Sequence, residues 1–289
     1  GQISPAWPFS AILGRMEHAS AIQAAKLSAD WLRSPLGQRV YALECKHVGE
    51  SLSQVFGWQL LQIGVWGDDH GLITQARTQA KSVLASAGEK IALPHMLSAH
   101  SSTGPITPTN PTIGVLQSRV DAMGIASDSV DAVLLPHTLE RVSDPHAVLR
   151  EVERIIMGDG HLIVLGFKPF SAWGLRHLFA GNGFPPGIER PLGEWRVRDW
   201  LKLLGFEIVD ARRYLFSMPF GKAASGAQHF FETAGAHAWP LLAGAYMLKA
   251  RKRVYTMTPI RLRWRSRTGV VGGLVEPAAR RERGQDSGA

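Results

Sequence analysis

Short and almost wholly apolar segments, spaced along the chain, limit this sequence to a few fold classes. Residues 58–64 (WQLLQIG), 129–137 (SVDAVLLPH) and 161–167 (HLIVLGF) are predicted strands, and the first of them has no polar face. A strand of that kind is buried on both sides, as in a parallel sheet covered by helices. A strong helical pattern over residues 144–157 separates two of the strands. The sequence therefore predicts an α/β fold with a doubly wound, mostly parallel sheet.

The helix predicted over residues 144–157 has clear end signals. Asp144 is a natural N-cap, Pro145 suits the first turn, and the glycines of GDG end the helix. Further helices are predicted over 15–33, 38–56, 195–204 and, weakly, 70–80, and further strands over 81–86, 206–214 and 244–254. Because no long helix separates the last two strands, we expect an antiparallel pair at one edge of the sheet.

Charge and composition divide the chain into three predicted parts. These are an N-terminal helical segment (1–55), an α/β domain (56–255) and a basic tail (256–289). From Lys249 onward there are 11 Lys/Arg and 3 Asp/Glu, whereas residues 1–248 hold 21 of each, so the end of the chain carries the whole net charge of +8. A neutral body argues against a nucleic-acid groove across the domain. The tail suits a nucleic acid or an anionic surface, or is simply a solvated terminus.

Other sequence features bear on location. No uninterrupted apolar run reaches the roughly 18 residues of a membrane-spanning helix, and no secretory signal is recognisable. Cys45 is the only cysteine, so an internal disulfide is impossible. We therefore expect a protein of the reducing cytoplasm that does not cross the membrane.

The turn after the first strand has part of a nucleotide-binding pattern. Ligands of open α/β sheets bind beyond the carboxyl ends of the strands. Gly64 and Gly67 would permit close approach of the backbone to a ligand, and Trp66 between them is expected to turn away or to cover the pocket. After the second predicted strand, where an acid commonly holds the ribose, residues 85–87 are Ala, Ser and Ala. A purely structural turn explains the two glycines nearly as well.

A more specific pattern covers residues 119–169. It contains an acid before a short loop, a DSVD strand entry, a turn ending in Asp-Pro and a charged amphipathic helix. The residues concerned are Asp121, Asp128, Ser129, Asp131, Leu139, Val142, Asp144, Pro145, Leu149, Glu151, Arg154, Ile156 and Gly160. This block resembles the class I S-adenosylmethionine (SAM) dependent methyltransferases, in the branch called methyltransferase type 11. A weaker resemblance extends over roughly residues 55–255.

The resemblance implies a Rossmann-like fold, SAM as cofactor, and methyl transfer to an oxygen, nitrogen or carbon atom of an acceptor. The implied cofactor-binding residues lie at three strand ends. They are Gly64, Val65 and Gly67 beside the methionine part, Asp121, Ala122 and Met123 beside the adenine, and Leu135 and Pro136 near the sulfonium.

His137 has two interpretations. At a strand end beside the sulfonium it could take a proton from the acceptor as a catalytic base, because its ordinary pKa lies near neutrality. Alternatively it is packed into the loop and bonded to the backbone. Methyl transfer depends mainly on placement of the reactants and needs no strong base. A metal is not expected, because His137, Glu140, Asp144 and His146 lack the spacing of a ligand set.

The sequence leaves more than one function open. The first is a SAM-dependent methyltransferase for a small or amphipathic acceptor, suggested by Trp7, Trp31, Trp173 and Trp195. The second is a non-catalytic binding or regulatory protein that kept the fold and lost the cofactor, suggested by the incomplete glycine motif and the missing acid. The third is a nucleic-acid binder acting through the tail, where residues 261–267 read RLRWRSR.

Overall fold

One sheet of seven strands organises the chain. In chain order the strands are β1 (Gln59–Ile63), β2 (Ala80–Ala85), β3 (Ile113–Gln117), β4 (Val130–Pro136), β5 (Ile156–Phe167), β6 (Phe206–Tyr214) and β7 (Ala245–Lys252). Their order across the sheet is β3-β2-β1-β4-β5-β7-β6. The strands from β3 to β5 pair in parallel, and β7 is antiparallel to both β5 and β6. The predicted Rossmann-like fold is confirmed, with the antiparallel pair at the β6 edge.

The computed structural model describes residues 23–67, 71–86, 113–180, 183–216 and 243–254. The described residues all belong to one compact unit, which ends at Val254. The basic tail, the loop over residues 98–112 and Trp7 lie outside the described residues. The division into three parts therefore stays a prediction.

Four labelled helices accompany the sheet: α1 (Pro35–Leu52), α2 (Pro145–Ile155), α3 (Ala172–Phe179) and α4 (Glu194–Leu203). Residues 23–32 are also helical. Hydrogen bonds from backbone amides to the side chain of the N-cap residue define where several of these helices begin. The Asp144 side chain accepts hydrogen bonds from the backbone amides of His146 and Ala147, as its position in the sequence predicted.

The helices cover both faces of the sheet. On one face, α1 packs through Val40, Val48 and Leu52 into a core that includes Leu60. On the other face, α2 and α4 pack against the alternate side chains of β1, Leu61 and Ile63. This division explains why Leu60, Leu61 and Ile63 are all apolar, since both sides of β1 are buried.

The helix predicted over residues 70–80 is wrong for the part that the structure describes. Residues 71–79 form turns and irregular backbone. Lys81 Nζ donates to the Thr74 carbonyl oxygen at 2.9 Å, which a helix would have paired with the amide of Thr78. Leu72 and Ile73 are nevertheless buried in the core on the α1 face, so the apolar residues of this segment are buried without a helix. None of the helices in the described ranges combines the length and the apolar character of a membrane span.

Candidate active site

The loop after β1 requires glycine at two positions. Gly64 has a φ of 87° and Gly67 a φ of 76°, in the left-handed region that other residues rarely adopt. Neighbouring side chains also leave no room for a Cβ atom. A Cβ on Gly64 would lie 2.9 Å from Thr138 Oγ1, and one on Gly67 would overlap the ring of Tyr41. Backbone conformation and packing together therefore account for both glycines.

A buried amide stands directly before this loop. The Gln62 side chain is buried, and its Nε2 donates to the Gly64 carbonyl oxygen at 3.0 Å. Its Oε1 has no hydrogen-bond partner. An unpaired buried acceptor costs about 1–3 kcal/mol unless a ligand or water donates to it. This oxygen is therefore suited to accept a hydrogen bond from a ligand bound at the loop.

Trp66 packs inward against α1. Its side chain is buried, and the indole Nε1 donates to Glu44 Oε2 at 2.7 Å. The indole ring centre lies 4.4 Å from that of His137. This large residue between the two glycines is thus part of the core on the α1 face.

His137 lies at the carboxyl end of β4 and is fully buried. Its Nε2 is 2.8 Å from Glu44 Oε1, and its Nδ1 is 2.8 Å from Glu140 Oε2. The ring also stacks on Phe167 at a centre distance of 4.3 Å. Both ring nitrogens are therefore engaged with carboxylates. We call Glu44, His137 and Glu140 the buried triad.

The electrostatics of the buried triad favour a charged histidine. Burial alone lowers the pKa of His137, but the Glu44 carboxylate and the hydrogen bonds to both glutamates outweigh it and raise the pKa to about 9. Burial raises the pKa of Glu140, against the opposing effect of His137 and of backbone amides. Glu140 Oε1 accepts from the amides of Phe167 at 2.8 Å and Leu192 at 3.2 Å. The triad thus joins α1 to the carboxyl ends of β4 and β5.

This geometry bears on the proposed role of His137. In the arrangement described, neither ring nitrogen is open to an acceptor molecule, and the side chain has the contacts of a buried structural cation. It is packed into the strand end, as the second interpretation supposes, but its partners are carboxylates and not backbone groups. A catalytic role for His137 stays a prediction.

The segment implied to contact adenine lies beyond β3. Asp121 binds the Arg119 guanidinium, with oxygen-to-nitrogen distances of 3.0 and 2.6 Å. The hydrogen bond from Arg119 lowers the pKa of Asp121, so the carboxylate is ionised near neutral pH. Ala122 is exposed, whereas Met123 is buried in the core on the α2 face. A partly exposed anion therefore stands at the end of the third strand.

Two residues of the sequence pattern, Glu151 and Arg154, hold this segment in place. Glu151 Oε1 accepts from the Met123 amide at 2.9 Å. Arg154 Nη2 donates to the carbonyl oxygens of Ile125 at 2.8 Å and Met123 at 3.2 Å. The pattern on α2 therefore supports the loop that carries Asp121.

Replacing Arg154 with alanine is expected to lower the urea midpoint of unfolding, because several carbonyl and hydroxyl acceptors lose a charged donor. Urea denaturation measures the change. Arg150→Ala is the matched control, since Arg150 is exposed on the same helix. Equal and small effects of the two substitutions would contradict the supporting role of Arg154.

Three predicted cofactor contacts remain: Val65, Leu135 and Pro136. Leu135 and Pro136 are buried at the end of β4, and the Leu135 side chain lies in the core on the α2 face. The Val65 carbonyl oxygen accepts from Arg141 Nη1 at 2.8 Å.

Within the part of the chain that the structure describes, no group of three or more His, Cys, Asp or Glu residues could hold a metal ion.

Comparison with known families adds to this geometry. Residues 92–164 match the family model described as a methyltransferase domain, of the type 11 branch. The matched segment includes β3, β4, α2 and much of β5, and so includes Asp121, His137 and the pattern on α2. Over these residues the chain is similar to a methyltransferase domain. The resemblance predicted from the sequence is confirmed, and SAM is the cofactor that the match implies.

A bacterial relative shares part of this chain. The uncharacterized protein YafS of Escherichia coli (strain K12) is 38% identical over 134 residues, which are 46% of this chain and 52% of YafS. The alignment thus spans about half the length of that relative. It supports common ancestry over the shared segment.

Solved structures support the fold. A SAM-dependent methyltransferase from Thermotoga maritima matches with a TM-score of 0.53 and 17% identity, over 78% of this chain and 93% of its own. A chain from the complex of the Haloferax volcanii Trm112 methyltransferase activator with a methyltransferase matches with a TM-score of 0.54 and 14% identity, over 80% and 98%. The cyclase SpnF matches with a TM-score of 0.50 and 17% identity, over 77% and 84%. Because a cyclase and methyltransferases share this fold, the fold alone does not determine which reaction a protein catalyses.

Proposed function

We propose that this protein binds SAM at the carboxyl ends of β1, β3 and β4 and transfers its methyl group to a small or amphipathic acceptor. The observation that carries the proposal is the unpaired Oε1 of buried Gln62 beside the left-handed Gly64, at the switch in strand order. Ligands of open α/β sheets bind at such a switch point. The methyltransferase-domain match covers β4, the other strand at that point.

The residues present fit the cofactor in two places. Gln62 Oε1 would accept a hydrogen bond from the methionine ammonium, and the backbone of Gly64 and Val65 would line that part. The ionised Asp121 carboxylate would accept from the adenine amine, and Ala122, exposed beside it, leaves space for the ring. When bound, SAM supplies an electrophilic methyl group on a positively charged sulfur.

The protein's own contribution to the reaction is placement and exclusion of water. Aromatic side chains gather beyond the carboxyl ends of β4 and β5. Phe167 and Trp173 have ring centres 6.1 Å apart, and Trp31 is 6.5 Å from Trp173. Aromatic side chains at this end of the sheet support the proposal of an amphipathic acceptor. They also favour a positively charged sulfur over water, because aromatic faces attract cations.

A specific observation favours the non-catalytic alternative. Tyr41 packs against Gly67, and the buried triad engages both nitrogens of His137. Ser86 follows β2, so the acid that commonly holds the ribose is absent from that position. A binding or regulatory protein that kept the fold would show these same features.

Calorimetric titration with SAM and with its demethylated product distinguishes the two functions. We expect saturable binding, and we expect Asp121→Ala to weaken it about tenfold, which corresponds to roughly 1.4 kcal/mol. Asp159→Ala is the matched control, because Asp159 is an exposed acid in the amino-terminal part of β5. If neither compound binds at millimolar concentration, the methyltransferase proposal fails and the non-catalytic function stands.

Cytoplasmic location, nucleic-acid binding by the tail and oligomeric state stay predictions.

A further inference from the structure

An exposed apolar surface lies on and beside α3. Four large apolar side chains project into solvent there, and we call them the α3 patch. Their exposed fractions are 84% for Phe170, 55% for Leu175, 77% for Leu178 and 83% for Phe179. Leu175, Leu178 and Phe179 are spaced as neighbours on one helical face. Contiguous apolar surface of this kind on a folded protein indicates an interaction site.

The opposite face of α3 is firmly attached to the body of the protein. Trp173 is buried and stacks on Phe184 with ring centres 5.4 Å apart. The Phe184 amide donates to His177 Nδ1 at 2.9 Å. The helix therefore has its own buried aromatic anchor, and the α3 patch faces outward because the anchor fixes the rotation of the helix.

The segment that carries the patch has charges of one sign, although Glu194 of α4 is an electrostatic neighbour of Lys168. Residues 168–188 contain Lys168, Arg176 and His177 and no Asp or Glu. Arg176 lies at the edge of the anchor, with its guanidinium carbon 3.9 Å from the centre of the Phe184 ring. Large apolar side chains on one segment with cationic ones match an anionic lipid surface. A nucleic acid offers no apolar interior that would take up the exposed leucines.

We propose that the α3 patch docks onto an anionic lipid bilayer. The leucine and phenylalanine side chains enter the boundary between headgroups and acyl chains, and Lys168 and Arg176 lie among the anionic headgroups. Because α3 follows the carboxyl end of β5, docking brings the candidate active site close to the membrane surface. The proposal does not depend on methyl transfer, since it concerns only surface side chains outside the cofactor loops.

Sedimentation of the full chain with vesicles tests the proposal. We expect binding to phosphatidylcholine vesicles that contain phosphatidylglycerol, and little binding to pure phosphatidylcholine. The double substitution Leu178→Ser with Phe179→Ser should lower the bound fraction on the order of tenfold, because it removes about half of the inserted apolar surface. Leu203→Ser is the matched control, since Leu203 is 79% exposed on α4 and should leave binding unchanged.

Three outcomes would overturn the assignment of the α3 patch to lipid. If the double variant binds anionic vesicles as well as the unchanged protein does, the basic tail accounts for binding. Equal binding of the unchanged protein to neutral vesicles would mean that the charge has no role. If the double substitution instead converts a dimer to a monomer in gel filtration, the patch is an interface between copies. Circular dichroism and thermal melting check that the variants are folded.

Discussion

Glu44→Ala is expected to lower the free energy of unfolding by about 3–5 kcal/mol, the usual effect of removing one partner of a buried ion pair. Glu44 is fully buried on α1. Its carboxylate accepts from His137 Nε2 at 2.8 Å and from Trp66 Nε1 at 2.7 Å. Without it, a buried imidazolium loses its main counter-charge and a buried indole N–H loses its acceptor. Both losses carry a desolvation penalty in the folded state alone.

Glu50→Ala provides the comparison, because Glu50 is an exposed carboxylate on the same helix that pairs with Arg212. Exposed ion pairs contribute about 0–1 kcal/mol, so this substitution should have a small effect. Urea unfolding at neutral pH gives both values. Glu44→Gln keeps the shape and removes the charge, and should fall between the two. A loss below about 1 kcal/mol for Glu44→Ala would show that the buried triad does not hold α1 in place.

The burial of Glu44 could be predicted from the sequence, but its partner could not. The helix was predictable over most of α1, and Val40, Glu44 and Val48 follow one another at intervals of four residues on its buried face. An acid on an apolar stripe was therefore the available signal, because a buried acid requires a partner. The partner itself could not be inferred, since His137 lies 93 residues further along the chain. Only the folded sheet brings the two together.

The same reasoning separates the predictable fold from the less predictable site. Apolar strands and capped helices depend on neighbouring residues, so β1, β4 and α2 were placed within a few residues of their bounds. The missed α3 follows Ser171, an N-cap whose hydroxyl accepts from the Gly174 amide, and that serine was the usable signal. By contrast, Tyr41 against Gly67 and Arg154 against Met123 are tertiary contacts. Patterns of adjacent residues carry no direct information about such contacts.

Between pH 6.5 and about 9, the free energy of unfolding is expected to fall by about 3 kcal/mol because of His137. Its folded pKa of about 9 lies above the ordinary histidine value of 6.5, mainly because of the Glu44 carboxylate. A raised histidine pKa means that the folded state binds the proton more tightly. The stabilisation is therefore complete below pH 6.5 and is lost as the pH rises through 9.

The other buried groups contribute with both signs. Burial raises the pKa of Glu140, whose contribution to stability is also lost as pH rises, whereas burial lowers the pKa values of Lys81 and Lys249, whose contributions oppose that loss. Burial lowers the pKa values of His47 and His161, and their effects appear as pH falls below 6.5, outside this window. Urea midpoints at several pH values across this window measure how steeply stability falls with pH. His137→Gln should flatten that slope by removing the titrating group. Glu44→Gln should flatten it by removing the counter-charge of the imidazolium. An equal slope in the unchanged protein and in His137→Gln would mean that this histidine is neutral in the fold, and the charged triad would have to be abandoned.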